Sequence, residues 1–142
     1  MVASLVEWVE ANLPGDATLL VLPEGVMVNY LTRRVNPTRH LNFVPPEIMI
    51  FGEEQILQDL KAQPPDYLAL VHRETGEYRL PLFGTHYAPR LLAWAREDYE
   101  LVARVGAAPL VPERLEDRRC GFEVLRRRAF APGPEKARAP AQ

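Results

Sequence analysis

Residues 17–34 read ATLLVLPEGVMVNYLTRR, and this stretch determines the fold that we expect. Its first six residues, 17–22, carry almost no polar atoms, and a Pro-Glu-Gly turn at 23–25 interrupts them. A short apolar run bounded by turn residues predicts a strand that is buried on both faces, as in a parallel sheet. Apolar residues then recur at helical spacing, so a helix should run from the turn to about residue 34. A strand, a tight turn and a helix form half of a βαβ unit.

A second apolar run, Tyr67 to His72, repeats this signature of a buried strand. The other predicted elements are helices over 2–12, 53–63 and 89–98 and strands over 99–105 and 122–127. Prolines disfavour a regular element across 35–46, and 47–51 fits either a helical turn or a short strand. Strands that alternate with helices predict an α/β fold with one mainly parallel, Rossmann-like sheet and helices on both faces. The strands at 99–105 and 122–127 are an alternative antiparallel edge hairpin.

The composition predicts one domain, residues 1–130, followed by a disordered tail at 131–142 that is rich in Pro, Ala, Gly and charge. The net charge of −2 gives no reason to expect a nucleic-acid partner. No apolar stretch approaches the ~20 residues that cross a bilayer, so the chain as given is expected to be soluble. The single cysteine, Cys120, excludes an internal disulfide.

Six polar residues are candidates for ligand binding. In open α/β sheets ligands lie beyond the carboxyl ends of strands, where Glu24 and His72 are expected. Asn29 lies on the helix after Glu24, and Tyr87 lies in a loop before another helix. Arg33 and His40 belong to an arginine-rich segment that suits a phosphate or carboxylate. Four of them also have a structural interpretation: Glu24 as a first-turn acid, His40 and His72 as hydrogen-bonded side chains, and Arg33 as part of a solvated surface.

Several common chemistries lack their sequence signature. The turn at 23–25 has a single glycine and matches neither the dinucleotide fingerprint nor a P-loop. The three histidines lack metal-ligand spacing and Cys120 is remote from them, so no metal is expected. Ser4 is the only serine, and no G-x-S-x-G elbow surrounds it. The sequence therefore names no catalytic residue, cofactor or metal.

A set of short phrases resembles a known family. They are Leu22-Pro-Glu-Gly25, Asn29-Tyr-Leu31, Asn36-Pro-Thr-Arg-His40, Pro65-Asp-Tyr67, Val71-His-Arg73, Phe83-Gly84-x-x-Tyr87 and Gly106-Ala-Ala-Pro-Leu110. Together they resemble the C-terminal soluble domain of bacterial polytopic membrane glycosyltransferases of the protein-mannosyltransferase-like class, which use polyprenyl-phosphate sugars. The resemblance covers roughly residues 2–112.

The resemblance implies a location on the extracytoplasmic face of the bacterial membrane, after the last membrane span. Catalysis in that class belongs to acidic residues of the membrane portion, so no catalytic residue carries over to this sequence. The expected function is therefore a non-catalytic accessory or acceptor-binding domain. Its partners would be the membrane portion, in the same or a neighbouring chain, and a glycan or other acceptor.

Two hypotheses from other classes stay open. One is a stand-alone small α/β enzyme or small-molecule-binding protein that uses Glu24, Asn29, His40 and His72 around one polar cleft at the strand ends. The other is a protein–protein module, which would need a contiguous exposed apolar patch beyond a few hundred Å².

Overall fold

A computed structural model describes residues 1–114 and 119–129, and the predicted tail at 131–142 lies outside the described residues. The elements are α1 (Val2–Asn12), β1 (Leu19–Leu22), α2 (Val26–Thr32), α3 (Pro45–Phe51), α4 (Glu53–Ala62), β2 (Tyr67–Val71), α5 (Pro89–Asp98), β3 (Tyr99–Val105) and β4 (Phe122–Arg127). Two short 3₁₀ turns, Gly76–Tyr78 and Pro112–Arg114, lie in the connections. The ambiguous segment at 47–51 is helical, within α3.

The sheet has the strand order β1-β2-β4-β3. β1 pairs in parallel with β2, with Leu19 opposite Tyr67 and Leu22 opposite Leu70. β4 is antiparallel to both β2 and β3. The parallel pairing of the two apolar runs and the antiparallel pairing of the last two strands are therefore confirmed, as is the α/β class.

The prediction of a mainly parallel sheet is wrong, because within residues 1–114 and 119–129 only one of the three strand pairs is parallel. β1, β2 and β3 do run in the same direction, as their helical connections require. β4 then inserts between β2 and β3 in the opposite direction. The order of strands across a sheet depends on long-range packing, so the alternation of helices and strands in the sequence did not predict this insertion. The strand order differs from that of a Rossmann sheet.

Helices cover both faces of the sheet, as predicted. Side chains alternate along β1, so that Leu20 and Leu22 pack with α4 and α5, whereas Leu19 and Val21 pack with α1 and α2. All four residues of β1 and all five of β2 are buried. A strand with apolar side chains on both faces needs a hydrophobic layer on each side, and the helices supply the two layers.

The segment between α2 and α3 covers the outer edge of β1. The Leu19 N–H donates to the Val35 carbonyl at 2.9 Å, and the Phe43 N–H donates to the Pro23 carbonyl at 2.8 Å. Phe43 is fully buried in the core on the α4/α5 side. This covering removes one open edge of the sheet without adding a strand.

A reciprocal pair of hydrogen bonds fixes the register of β1 against β2. The Thr18 N–H donates to Asp66 Oδ2 at 3.0 Å, and the Asp66 N–H donates to Thr18 Oγ1 at 2.8 Å. Arg127, at the end of β4, donates to Asp66 Oδ1 at 3.3 Å. Because a slip by one residue would turn every side chain of β1 to the other face, this clamp supports both core layers.

Asp66→Ala is expected to lower the free energy of unfolding by about 2 kcal/mol, since it removes a charge-assisted bond to a backbone N–H and the contact with Arg127. Urea denaturation measures the change. Thr18→Ser keeps the hydroxyl and serves as the control, with an expected loss below about 1 kcal/mol. An Asp66→Ala protein as stable as the wild type would contradict this role.

Candidate functional site

Glu24, Arg73, Glu77 and Tyr87 form a strand-end cluster at the carboxyl ends of β1 and β2. Arg73 Nε donates to Glu24 Oε2 at 2.8 Å, and Arg73 Nη2 donates to Glu77 Oε1 at 2.9 Å. The bond to Glu24 contributes most to raising the pKa of Arg73, so the guanidinium stays charged. The three charged side chains are 39–45% exposed, and such surface ion pairs contribute little to stability. Glu24 thus faces an arginine of the same chain.

Tyr87 closes the buried side of the strand-end cluster. Its side chain is 6% exposed, and its ring meets Phe83 edge-on at 5.7 Å. Burial is the main cause that raises its pKa to about 12, and the charges of Arg73, Glu77 and Glu24 act on the same hydroxyl. The hydroxyl approaches Thr75 without reaching hydrogen-bond geometry, and it has no other partner among the described residues. A buried hydroxyl without a partner costs about 1–3 kcal/mol.

His72 follows β2 and is half-buried. Its Nδ1 lies 2.9 Å from the Pro109 carbonyl oxygen. Since a carbonyl oxygen only accepts, Nδ1 carries the hydrogen in this contact. The imidazole therefore fastens the connection between β3 and β4 onto the end of β2.

Asn29 and Arg33 lie away from the strand-end cluster. The Asn29 Nδ2 group donates to the Leu19 carbonyl at 2.7 Å and to the Arg34 carbonyl at 2.9 Å. Leu19 begins β1, so this amide lies near the amino end of the strand and ties α2 to it. Arg33 caps the C-terminus of α2 in the left-handed region, at φ 56°, with an exposed side chain.

His40 belongs to a separate group with Asp59 of α4. Its Nε2 lies 2.8 Å from Asp59 Oδ2, which also accepts from Arg39 Nε at 3.0 Å. Gln55 donates to Asp59 Oδ1 at 3.0 Å. The bond from His40 contributes most to lowering the pKa of Asp59, and Gln55 and Arg39 add to it. The structure thus gives the arginine–histidine segment a carboxylate from the same chain as its partner.

The structure brings Glu24 and Tyr87 into the strand-end cluster. His72 directly precedes Arg73 of this cluster in the chain, whereas Asn29, Arg33 and His40 lie elsewhere. Sequence reasoning missed the central role of Arg73. The signal was present, because Arg73 directly follows a buried strand and stands four residues before Glu77. Asp59 gave no comparable signal, since its pairing with His40 depends on how the irregular segment at 35–44 folds.

A different feature dominates the surface around α2 and α3. Only Val28 and Thr32 of α2 and only Pro45 of α3 are buried. Nine large apolar side chains between 26 and 51 are 43–82% exposed, and we call them the apolar band: Val26, Met27, Tyr30, Leu31, Val35, Leu41, Met49, Ile50 and Phe51. Such a concentration of exposed apolar side chains marks an interaction surface more often than isolated ones do.

Two contacts bring the parts of the apolar band together. Glu24, just before α2, pairs through its backbone with Asn42. The ring of His40 meets Phe51, at the end of α3, edge-on with centroids 5.1 Å apart. Leu41 lies between these two contacts in the chain and is itself exposed, so the start of α2 and the end of α3 are both held near the same short segment.

Within residues 1–114 and 119–129, no group of three or more His, Cys, Asp or Glu side chains is arranged to hold a metal ion. None of the helices in the same described residues has the length and apolarity to cross a membrane. Comparisons with protein-family models, with curated proteins and with solved structures found no match for the chain.

Asp59→Asn is expected to make stability less dependent on pH below about pH 4. The folded-state pKa of Asp59 is depressed, so its contribution is present above the unfolded-state pKa of about 3.9 and is lost as pH falls through the lower folded-state value. Urea denaturation at a series of acidic pH values measures the slope. Arg126 similarly lowers the pKa of Glu100, so the effect of Glu100→Gln should add to it. An unchanged slope in Asp59→Asn would contradict the assignment.

Tyr87→Phe is expected to leave the free energy of unfolding unchanged or to raise it by up to about 1 kcal/mol, because it deletes a buried hydroxyl without a partner. Tyr99→Phe is the matched control, since the buried Tyr99 hydroxyl donates to the Pro65 carbonyl at 2.6 Å. The control should lose about 1–2 kcal/mol in urea denaturation. An equal loss in both variants would show that the Tyr87 hydroxyl is bonded in the folded protein.

Proposed function

We propose that this chain is a non-catalytic accessory or acceptor-binding domain of a bacterial membrane glycosyltransferase-like protein, and that the apolar band docks it beside the membrane-embedded part of the enzyme. The band is the observation that carries the proposal, and the sequence resemblance supplies the class of the parent protein. The proposed location is the extracytoplasmic face of the membrane. The membrane portion, in the same or a neighbouring chain, is the proposed partner.

The apolar band is not needed to complete the core of the domain. Both faces of the sheet already have their hydrophobic layers, on the α1/α2 side and on the α4/α5 side. Leaving apolar surface in water costs roughly 25 cal/mol per Å², so covering nine exposed side chains would favour association strongly. An apolar surface beside a complete core fits a domain that functions while docked.

The chemistry of the strand-end cluster supports a non-catalytic role. Arg73 is held between two carboxylates, so its charge is neutralised within the chain. His72 donates from Nδ1 to a backbone carbonyl, which is a structural bond. A general base or a nucleophile needs a partner aligned for proton transfer, whereas Glu24 bonds to Arg73 and His72 Nδ1 bonds to a backbone carbonyl.

A second candidate function is the binding of a small polar molecule, such as an acceptor glycan, at the strand-end cluster. The observation that favours it is the Tyr87 hydroxyl, which is buried beside three charged side chains without a hydrogen bond. A ligand hydroxyl could donate to the carboxylates and bond to this phenol. If this is correct, Tyr87→Phe would weaken ligand binding without loss of stability.

Substitution of the apolar band in the parent protein tests the main proposal. The full reading frames that encode this chain and the membrane portion would be expressed together, and transfer of sugar from the polyprenyl-phosphate donor would be measured in membranes. Met49→Asp with Ile50→Asp should reduce transfer and recovery of the chain with the membrane portion, because it puts charge into the apolar contact.

The matched control is Leu101→Asp with Val102→Asp on β3. Those side chains are 47% and 40% exposed and lie at the opposite edge of the sheet from β1. The proposal would be contradicted if the band variant showed unchanged recovery with the membrane portion and unchanged sugar transfer. It would also be contradicted if neither the same reading frame nor a neighbouring one encoded hydrophobic membrane spans.

A further inference from the structure

We infer that the apolar band enters the lipid–water interface of an anionic membrane, which deepens the proposed function by naming the surface that the domain contacts. The band lies on α2, α3, Val35 and Leu41, and two arginines of the same segment, Arg33 after α2 and Arg39 over the Phe51 ring, lie beside it. The occupant is the lipid surface, and the alternative, a protein surface of the membrane portion, is an outcome of the test.

The side chains of the band have the character of interfacial anchors. Met49, Ile50 and Tyr30 are 82%, 75% and 70% exposed, so they project from the surface. A disordered acyl boundary accepts projecting apolar side chains without a matching groove, and tyrosine concentrates at that depth with its hydroxyl toward water. The two helices are seven residues each, or about 10 Å long, which suits contact with the headgroup layer but not insertion across a bilayer.

The charge of the segment favours anionic headgroups. Residues 25–52 contain three arginines and one acid, Glu47, for a net charge of +2. The whole chain has a net charge of −2, so the remaining residues carry −4. Arg33 is exposed at the end of α2, and the Arg39 side chain is 62% exposed with its guanidinium 5.7 Å from the centre of the Phe51 ring. Long basic side chains beside apolar residues can extend toward lipid phosphates.

Four acids that border the band have partners in the chain, whereas Glu47 Oε2, in α3, is buried without a hydrogen bond among the described residues. Glu24 accepts from Arg73. Glu53 accepts from the backbone N–H groups of Arg90 and Leu91, and Glu54 forms an ion pair with Arg90. Asp59 is held by His40 and Arg39, and this ion pair also offsets the charge of Arg39, so Arg33 contributes most to the attraction for anionic headgroups. Each of these four carboxylates is thereby compensated, so it repels an anionic surface less than a free carboxylate would.

Co-sedimentation with vesicles tests the inference on the purified 142-residue chain. The probes are vesicles of phosphatidylcholine alone and of phosphatidylcholine mixed with phosphatidylglycerol. The wild type should bind the mixed vesicles more tightly, and Met49→Asp with Ile50→Asp should weaken that binding about tenfold or more. Leu101→Asp with Val102→Asp on β3 should bind like the wild type. Arg33→Gln should reduce the preference for anionic vesicles only.

A fluorescent readout reports insertion directly. Ile50→Trp should show a blue shift with mixed vesicles and quenching by brominated lipid, beyond the signal of the wild type, whose Trp8 and Trp94 lie outside the band. Thermal unfolding of each variant establishes that it is folded.

The vesicle assay and the transfer assay together distinguish failure of the lipid contact from failure of the proposed function. Absence of binding to both vesicle types, or equal binding by the band variant and the β3 control, overturns the lipid contact. If the chain ignores vesicles yet is recovered with the purified membrane portion through the same residues, the partner is protein and the proposed function stands. If the band variant loses vesicle binding while glycosyl transfer is unaffected, the lipid contact stands and the proposed function fails.

Discussion

The parallel pairing of β1 with β2 is the constraint on which the rest of the structure depends. Both strands are buried on both faces, so the fold needs a hydrophobic layer above and below the sheet. The Thr18–Asp66 clamp sets the register that sends alternate side chains to the correct layer. The helices, the covering of the β1 edge by residues 35–44 and the inserted strand β4 all complete this burial.

The same constraint explains why an apolar surface is left over. α1 and α2 fill one layer and α4 and α5 fill the other, so α2 gives the core little more than Val28, and α3 gives it Pro45 and the partly buried Ile48. The outer sides of α2 and α3 are as apolar as a core, yet the sheet has no further face to offer them. The apolar side chains on these outer sides therefore stay exposed in the isolated chain, whereas the charged side chains of the strand-end cluster pair with one another around Arg73.

Local patterns in the sequence predicted the helices and the two buried strands well, because period and turn residues report local conformation. They did not predict that β4 enters between β2 and β3, since strand order is set by long-range packing. For the candidate site, Glu24 and Tyr87 lie together at one sheet edge, whereas Asn29 and His40 lie elsewhere, because their partners Leu19 and Asp59 are fixed by tertiary contacts. The exposed side of α2 looked like an ordinary amphipathic pattern, and only the structure showed which side faces the core.

Native-state hydrogen exchange on the isolated chain tests the central claim most directly, because it measures the local free energy of opening at each amide. The account predicts that amides of β1, β2 and β4 exchange only through global unfolding. Amides of α2 and α3 should exchange much faster, since short helices with little buried surface are marginal without a partner. Exchange of β1 and β2 amides through local opening, or protection of α2 and α3 equal to that of β2, would contradict the account.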